Sequence, residues 1–142
     1  MLEVVCVLAI IALLAAVLLP RIPDGTSRPR LEAYALDAAS VLKADRSAAI
    51  RRRVEVVSDV NAPARFIRSG ATGRVVRIPN DVVFDAMLPE RCNQRPAFSA
   101  ISFFPSGMSC GGAVALTRFG MGYEIRVNWL TGGVEVVARN AY

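Results

Sequence analysis

The chain has 142 residues, 54% of them apolar, and a net charge of +5 carried by sixteen Arg and one Lys against twelve acids. It contains no His, which excludes a Ser-His-Asp or Cys-His nucleophile and a His metal site. Its length accommodates one membrane helix and one soluble domain of roughly 100 residues with a core of its own.

Eighteen of the first nineteen residues are apolar, the exception being Glu3, and Pro20 ends the run. A hydrocarbon core takes roughly 20 apolar residues of helix, and backbone groups in lipid must satisfy one another. Residues 1–19 are therefore predicted to form a transmembrane helix, with Leu2, Val4, Val5, Leu8, Ile11, Leu14 and Leu18 among its membrane residues. A carboxylate deep in a membrane costs on the order of 2.5–3.5 kcal/mol. Near the helix end, Glu3 is either tolerated at the interface or retained for a partner. The run lacks the basic n-region and small-residue cleavage site of a signal peptide, so an uncleaved anchor is expected.

Pro20, Pro23, Asp24, Gly25 and Pro29 follow closely, and such a cluster breaks or kinks a helix. A kink or linker is predicted over residues 20–29, with Pro20 and Pro23 as its breakers. A second helix is expected from Pro29 to Arg52, capped near Ser27 or Arg28. Leu31, Tyr34, Ala38, Val41, Leu42 and Ala49 form an apolar stripe at helical spacing that should lie on a sheet. Asp45 falls inside the stripe, while Glu32, Lys43 and Arg46 lie off it. Arg51-Arg52-Arg53 closes the helix where basic groups suit the dipole.

From Val54 the pattern changes to strands. They are expected over 54–60, 64–67, 74–78 and 81–84, with residues 85–97 as a loop. Later strands are expected at 101–104, 113–118, 123–129 and 134–138. In the third of these, Tyr123, Ile125, Val127 and Trp129 alternate with Glu124, Arg126 and Asn128, which buries one face. Thr131-Gly132-Gly133 turns a hairpin.

The start Met1-Leu2-Glu3-Val4-Val5, the Ala/Leu/Ile run and Leu19-Pro20 resemble the N-terminal helix of type IV pilins and type II secretion pseudopilins. In that superfamily a prepilin peptidase cuts after the Gly of a short basic leader, ahead of a Phe-Thr-Leu-Leu-Glu-type start. Only Met1-Leu2-Glu3 of such a start is present, so the resemblance implies a leader in a full-length precursor. The turn Phe103-Phe104-Pro105-Ser106-Gly107, the Gly111-Gly112-led strand and the hairpin Thr131-Gly132-Gly133-Val134-Glu135-Val136 are similar to the pseudopilin H family, which includes the FimT-like minor pilins. The middle, residues 54–97, matches weakly.

The resemblance implies an α+β, pilin-like fold. A transmembrane and assembly helix (1–19), a Pro-rich linker (20–29) and a periplasmic domain (30–142) follow in order, the domain packing a helix on antiparallel sheets in a sandwich-like arrangement. It implies a minor pseudopilin at or near the tip of a type II secretion pseudopilus, held in the bacterial inner membrane and acting in protein export. Its partners would be other minor pseudopilins, the major pseudopilin, a secreted protein and the prepilin peptidase. Glu3 would neutralise the terminal amine of a neighbouring subunit, as a buried carboxylate in an apolar bundle requires an opposite charge. Arg21, Arg28 and Arg30 just after the helix favour the opposite orientation by the positive-inside rule. The implied basic leader would reverse that balance. The alternative is a FimT-like minor pilin that binds DNA for uptake, with Arg118, Arg126 and Arg139 as contacts.

Cys6 reads as a small hydrophobe within the anchor. Cys92 and Cys110 are either two free buried thiols or a disulfide, and an exported domain favours the bond. No cofactor, metal site or enzymatic chemistry is expected. There is no Walker A sequence and no CxxC pair, and Gly120-Met121-Gly122 reads as a hairpin turn. Asp81 and Asp85 read as solvated surface acids.

Overall fold

The computed structural model describes residues 1–19 and 25–140. Pro20 and Pro23, expected to break the helix, lie outside the described residues. Helix α1 (Leu2–Leu18) has 17 residues, none of them buried. Ala and Leu favour it, and Glu3 in its first turn suits the positive end of the dipole. Among the described residues, no helix is long and apolar enough to cross a membrane.

Helix α2 (Arg28–Arg52) begins where expected. The Ser27 hydroxyl accepts from the Arg30 N–H at 3.4 Å, Pro29 occupies the first turn, and Arg53 leaves the helix with φ 55°. Its buried face is Leu31, Ala35, Ala38, Ala39, Val41, Leu42, Asp45, Ala48 and Ala49. The alanines let the backbone approach the strands closely. Tyr34, placed in the stripe by its spacing, is only half-buried.

Ten strands follow: β1 (Val56–Asn61), β2 (Phe66–Arg68), β3 (Val75–Arg77), β4 (Val83–Met87), β5 (Arg91–Cys92), β6 (Arg95–Pro96), β7 (Ala100–Phe103), β8 (Gly112–Arg118), β9 (Met121–Val127) and β10 (Val134–Asn140). They form two four-stranded sheets, ordered β3-β2-β1-β7 and β10-β9-β8-β4, and the small β5-β6 pair. Every pairing is antiparallel. Helix α2 touches both large sheets. One apolar cluster joins Leu42 and Val41 of the helix to Val60, Ile67, Ile101 and Phe103 of one sheet and Val114, Leu116 and Ile125 of the other.

Three sequence expectations need correction. Residues 85–97 are not one loop, because β4 runs on to Met87 and the β5–β6 hairpin fills the rest. The turn after β8 is Phe119-Gly120, with Met121 and Gly122 already paired in β9. Asp45 does not spoil the buried face: it is fully buried and serves as an acceptor for four donors. Ser58 Oγ donates to it at 2.6 Å, Ser69 Oγ at 2.5 Å, Gly70 N at 2.9 Å and Ala71 N at 3.3 Å. One carboxylate thus pins α2 to β1 and to the β2–β3 turn.

Cys92 and Cys110 form a disulfide, with Cα atoms 5.8 Å apart. It ties the β5–β6 hairpin to the segment before β8. Replacing both with Ser is expected to cost about 3 kcal/mol, mostly through a less constrained unfolded chain. Denaturant titration should show that loss, and reductant on the native protein should reproduce it; unchanged midpoints in both would contradict it.

Candidate functional site

Glu3 sits one residue into α1, on the face it shares with Val4, Val7 and Leu8. Around it the helix exposes Leu2, Val5, Leu8, Ile11, Leu14 and Leu18 to solvent. An apolar helix with no buried residue gains nothing from the fold of its own chain. Its stabilisation must come from apolar surroundings supplied by something else. Glu3 has no hydrogen-bond or ion-pair partner among the described residues. Cys6 lies one turn further on, free and exposed.

The chain joins the domain through a clamp that the sequence did not announce. The Thr26 N–H donates to Asp81 Oδ2 at 2.6 Å and the Thr26 hydroxyl to Asp81 Oδ1 at 2.9 Å. Arg118, the last residue of β8, donates from Nη1 to the Thr26 carbonyl and pairs with Asp81 Oδ2 at 3.3 Å. Gly25 precedes this clamp with φ 86°, and a Cβ there would meet the Arg118 guanidinium at 2.5 Å and Asp81 Oδ2 at 2.8 Å. Asp81 is exposed, as its loop-like neighbourhood implied, yet it is held in place by Thr26 and Arg118.

The Thr26 N–H and then its hydroxyl hold the Asp81 carboxyl below its ordinary value of 3.8; desolvation opposes them, and the Arg118 charge adds a pull weaker than that opposition. A depressed folded value contributes stability that is present above the unfolded value and lost as pH falls through the folded one. Melting temperature should therefore drop more steeply below pH 3.8 in the native protein than in Asp81→Asn, whose clamp does not titrate. Parallel curves would contradict this.

The other two arginines proposed as nucleic-acid contacts flank one acid. Arg126 Nε lies 2.8 Å from Glu124 Oε1, and Arg139 Nη1 lies 3.5 Å from Oε2, while the Glu124 side chain is only 11% exposed. Arg126 titrates higher than usual because it donates to Glu124. Arg118, at the clamp, is separate from this pair. The structure therefore does not assemble the three arginines into one patch, and it gives each a carboxylate.

The two C-terminal motifs converge on a residue the sequence reading left on the solvent side. Arg46 donates from Nε to the Gly107 carbonyl at 3.0 Å and from Nη2 to the Thr131 carbonyl at 2.9 Å. A Cβ on Gly132, where φ is 68°, would lie 1.8 Å from the Gly107 carbonyl oxygen. The Phe-Phe-Pro-Ser-Gly turn and the Thr-Gly-Gly hairpin are thus two halves of one contact, closed by α2. An arginine three-quarters of the way along a helix gave no signal for this. The motif glycines gave the only one.

No family model matches the sequence, and no curated protein matches it. Solved structures do. The minor pseudopilin EpsH from the type 2 secretion system of Vibrio cholerae aligns with a TM-score of 0.58 and 12% identity, over 76% of this chain and 96% of that one. The type IV minor pilin FimU of Pseudomonas aeruginosa aligns with a TM-score of 0.59 and 15% identity, over 82% of this chain and 98% of that one. A second crystal form of FimU gives 0.53 and 11%, over 79% and 100%. At these identities the likeness is one of fold. The chain has the pilin-like fold that a type 2 secretion minor pseudopilin and a type IV minor pilin share.

Proposed function

We propose that this chain is a structural subunit of a pilin-like filament, and in particular a minor pseudopilin at or near the tip of a type II secretion pseudopilus. The observation that carries the reading is α1: seventeen residues, none buried, one acid in the first turn, leading into a pilin-like domain. Residues 1–19 serve as anchor and assembly helix, 20–29 as the connection and 30–142 as the periplasmic domain. The anchor rests in the inner membrane and later packs among the helices of neighbouring subunits. The role is assembly in support of protein export, not catalysis.

The likeness to a type IV minor pilin supports a second reading, a minor pilin of a pilus. DNA uptake within that reading would draw on Arg126 and Arg139, which are half-exposed and share the one acid Glu124, with Arg118 apart from them at Asp81. The two readings separate in a pull-down with the full chain from detergent-solubilised membranes. The secretion reading expects capture of minor pseudopilins and no retention on DNA at low salt. Retention on DNA that falls steeply with salt, without pseudopilin capture, would replace it.

A further inference from the structure

We propose that the end of the domain nearest α1 is a membrane-resting face, in which the Phe119 turn enters the interface of an anionic bilayer and Arg28 and Arg30 meet its phosphates. This rests on the reading of α1 as a membrane anchor.

The first observation is the turn itself. Arg118 pairs with Met121 across β8 and β9, so the connection is Phe119-Gly120 alone. Both residues have positive φ, 52° and 74°, as the tight hairpin turn requires. Asn or Gly suits the first of these positions. A bulky L residue there is an outlier. Yet the Phe119 side chain is 88% exposed, and Met121 beside it is 41% exposed. The Arg118 guanidinium lies over the ring, 4.7 Å from its centre. An unfavourable backbone that holds an aromatic ring out in solvent points to an external role for the ring.

The second observation is position. Thr26 and Arg118 each line two neighbouring clefts. One, of about 160 Å³, also holds Arg28 and Phe119, and the other holds Arg30 and Asp81. Thr26 is therefore the hub of this face, and it is fixed there by the Asp81–Arg118 clamp. Six peptide steps separate Leu19, the end of the apolar run, from Gly25. A fully extended chain covers at most about 20 Å in that number. An inserted α1 thus keeps Gly25, at the edge of this face, within about 20 Å of the end of the anchor.

The third observation is charge. Arg28 and Arg30 are exposed and have no acidic partner among the described residues. Of the described acids at this end, Asp81 is held by Thr26 and Arg118, while Glu32, one turn on from Arg28, meets the neutral Tyr123 hydroxyl at 3.4 Å and offsets part of the arginine charge. An exposed aromatic ring flanked by arginines fits the interfacial zone, where ring and guanidinium sit at headgroup level. Anionic lipid adds an attraction that salt weakens.

The protein carries its own control. Trp129 is the sole tryptophan. It lies beyond the opposite end of β9, next to the Thr131 carbonyl that Arg46 holds. Arg46 is about 27 Å along α2 from Arg28. The test reconstitutes the full chain in vesicles of phosphatidylcholine and phosphatidylglycerol carrying lipid brominated near the headgroup. Flotation first reports whether α1 anchors the chain. In the Phe119→Trp, Trp129→Phe variant, emission should shift to the blue and be lost to bromine. Native Trp129 should do neither. Arg28→Glu with Arg30→Glu, or vesicles without phosphatidylglycerol, should restore most of the lost emission. Floating protein whose Trp at 119 is quenched no more than Trp129 would overturn the proposal and leave the anchor standing. Quenching that ignores both lipid charge and the arginine reversals would overturn its electrostatic half. Failure to float would overturn the anchor and the proposal with it.

Discussion

Asp45→Ala is expected to destabilise the domain by about 3–5 kcal/mol, the scale on which several buried donors lose one shared acceptor. The carboxylate has no exposure and accepts from Ser58, Ser69, Gly70 and Ala71. Alanine leaves those donors buried, and each unsatisfied group costs about 1–3 kcal/mol. Some recover: Ser69 Oγ also accepts from Ala71 N at 3.2 Å and Thr72 N at 3.1 Å, so the turn keeps part of its own geometry. The expected loss is therefore less than a simple sum. It is still a large share of the roughly 5–15 kcal/mol that a domain of this size has. Asp45→Asn should fall between, since it keeps one acceptor oxygen but turns an NH2 toward donors. Denaturant titration followed by Trp129 emission measures all three proteins. A change within about 0.5 kcal/mol, the range of an ordinary surface substitution, would show that Asp45 is not the tie between α2 and the first sheet.

Glu3→Ala should leave stability and membrane insertion unchanged and remove capture by other pilin-like subunits. The domain is indifferent because α1 buries no residue against it. Insertion is indifferent because the substitution removes a charge from an apolar run. Assembly is sensitive because a carboxylate that enters a helix bundle is matched there by a partner's positive charge. Removing one member of a buried pair costs about 3–5 kcal/mol, and each 1.4 kcal/mol is about tenfold in affinity. Capture should fall by more than about a hundredfold. Glu3→Gln should fall nearly as far, because it keeps the size and loses the charge. Glu3→Asp should recover part of the binding. Equal capture by all four proteins would leave Glu3 as a residue merely tolerated at the membrane surface.

The parts of the fold that rest on local patterns were legible in the sequence. Ser27, Pro29 and the terminal arginines marked α2 to within a residue, because capping, ring geometry and dipole act over one turn. The alternation over Tyr123–Trp129 and the Thr131-Gly132-Gly133 turn placed β9 and β10 for the same reason, although Trp129, counted with the buried face, lies past the end of β9 and is exposed, while Glu124, counted with the other face, is buried. The disulfide followed from the kind of compartment the resemblance implies.

What escaped was set by contacts across long stretches of chain. Asp81 looks like any loop acid until Thr26, 55 residues earlier, folds onto it. Arg46 sits off the apolar stripe and points to solvent by spacing alone. Its partners Gly107 and Thr131 are 61 and 85 residues away. Asp45 was visible as an anomaly in the stripe, yet nothing local to the helix reveals that Ser58 and Ser69 will face it. The β5–β6 hairpin is two residues a side, too short for any periodic signal. Its register is set by the two-residue turn Asn93-Gln94, where both residues have positive φ.

The central claim is that α1 packs against like helices of other subunits, and Cys6 offers the most direct test. It is the one free cysteine and is exposed on α1, three residues from Glu3. In membranes that contain the other pilin-like subunits, each with a cysteine introduced in its own apolar helix, mild oxidation should cross-link Cys6 to a neighbour. The same treatment of Glu3→Ala should leave the chain uncross-linked though still in the membrane fraction. Cross-linking of both proteins alike would break the link between Glu3 and assembly. No cross-link to any subunit, with α1 inserted and Cys6 reactive to a small maleimide, would contradict the assembly reading itself.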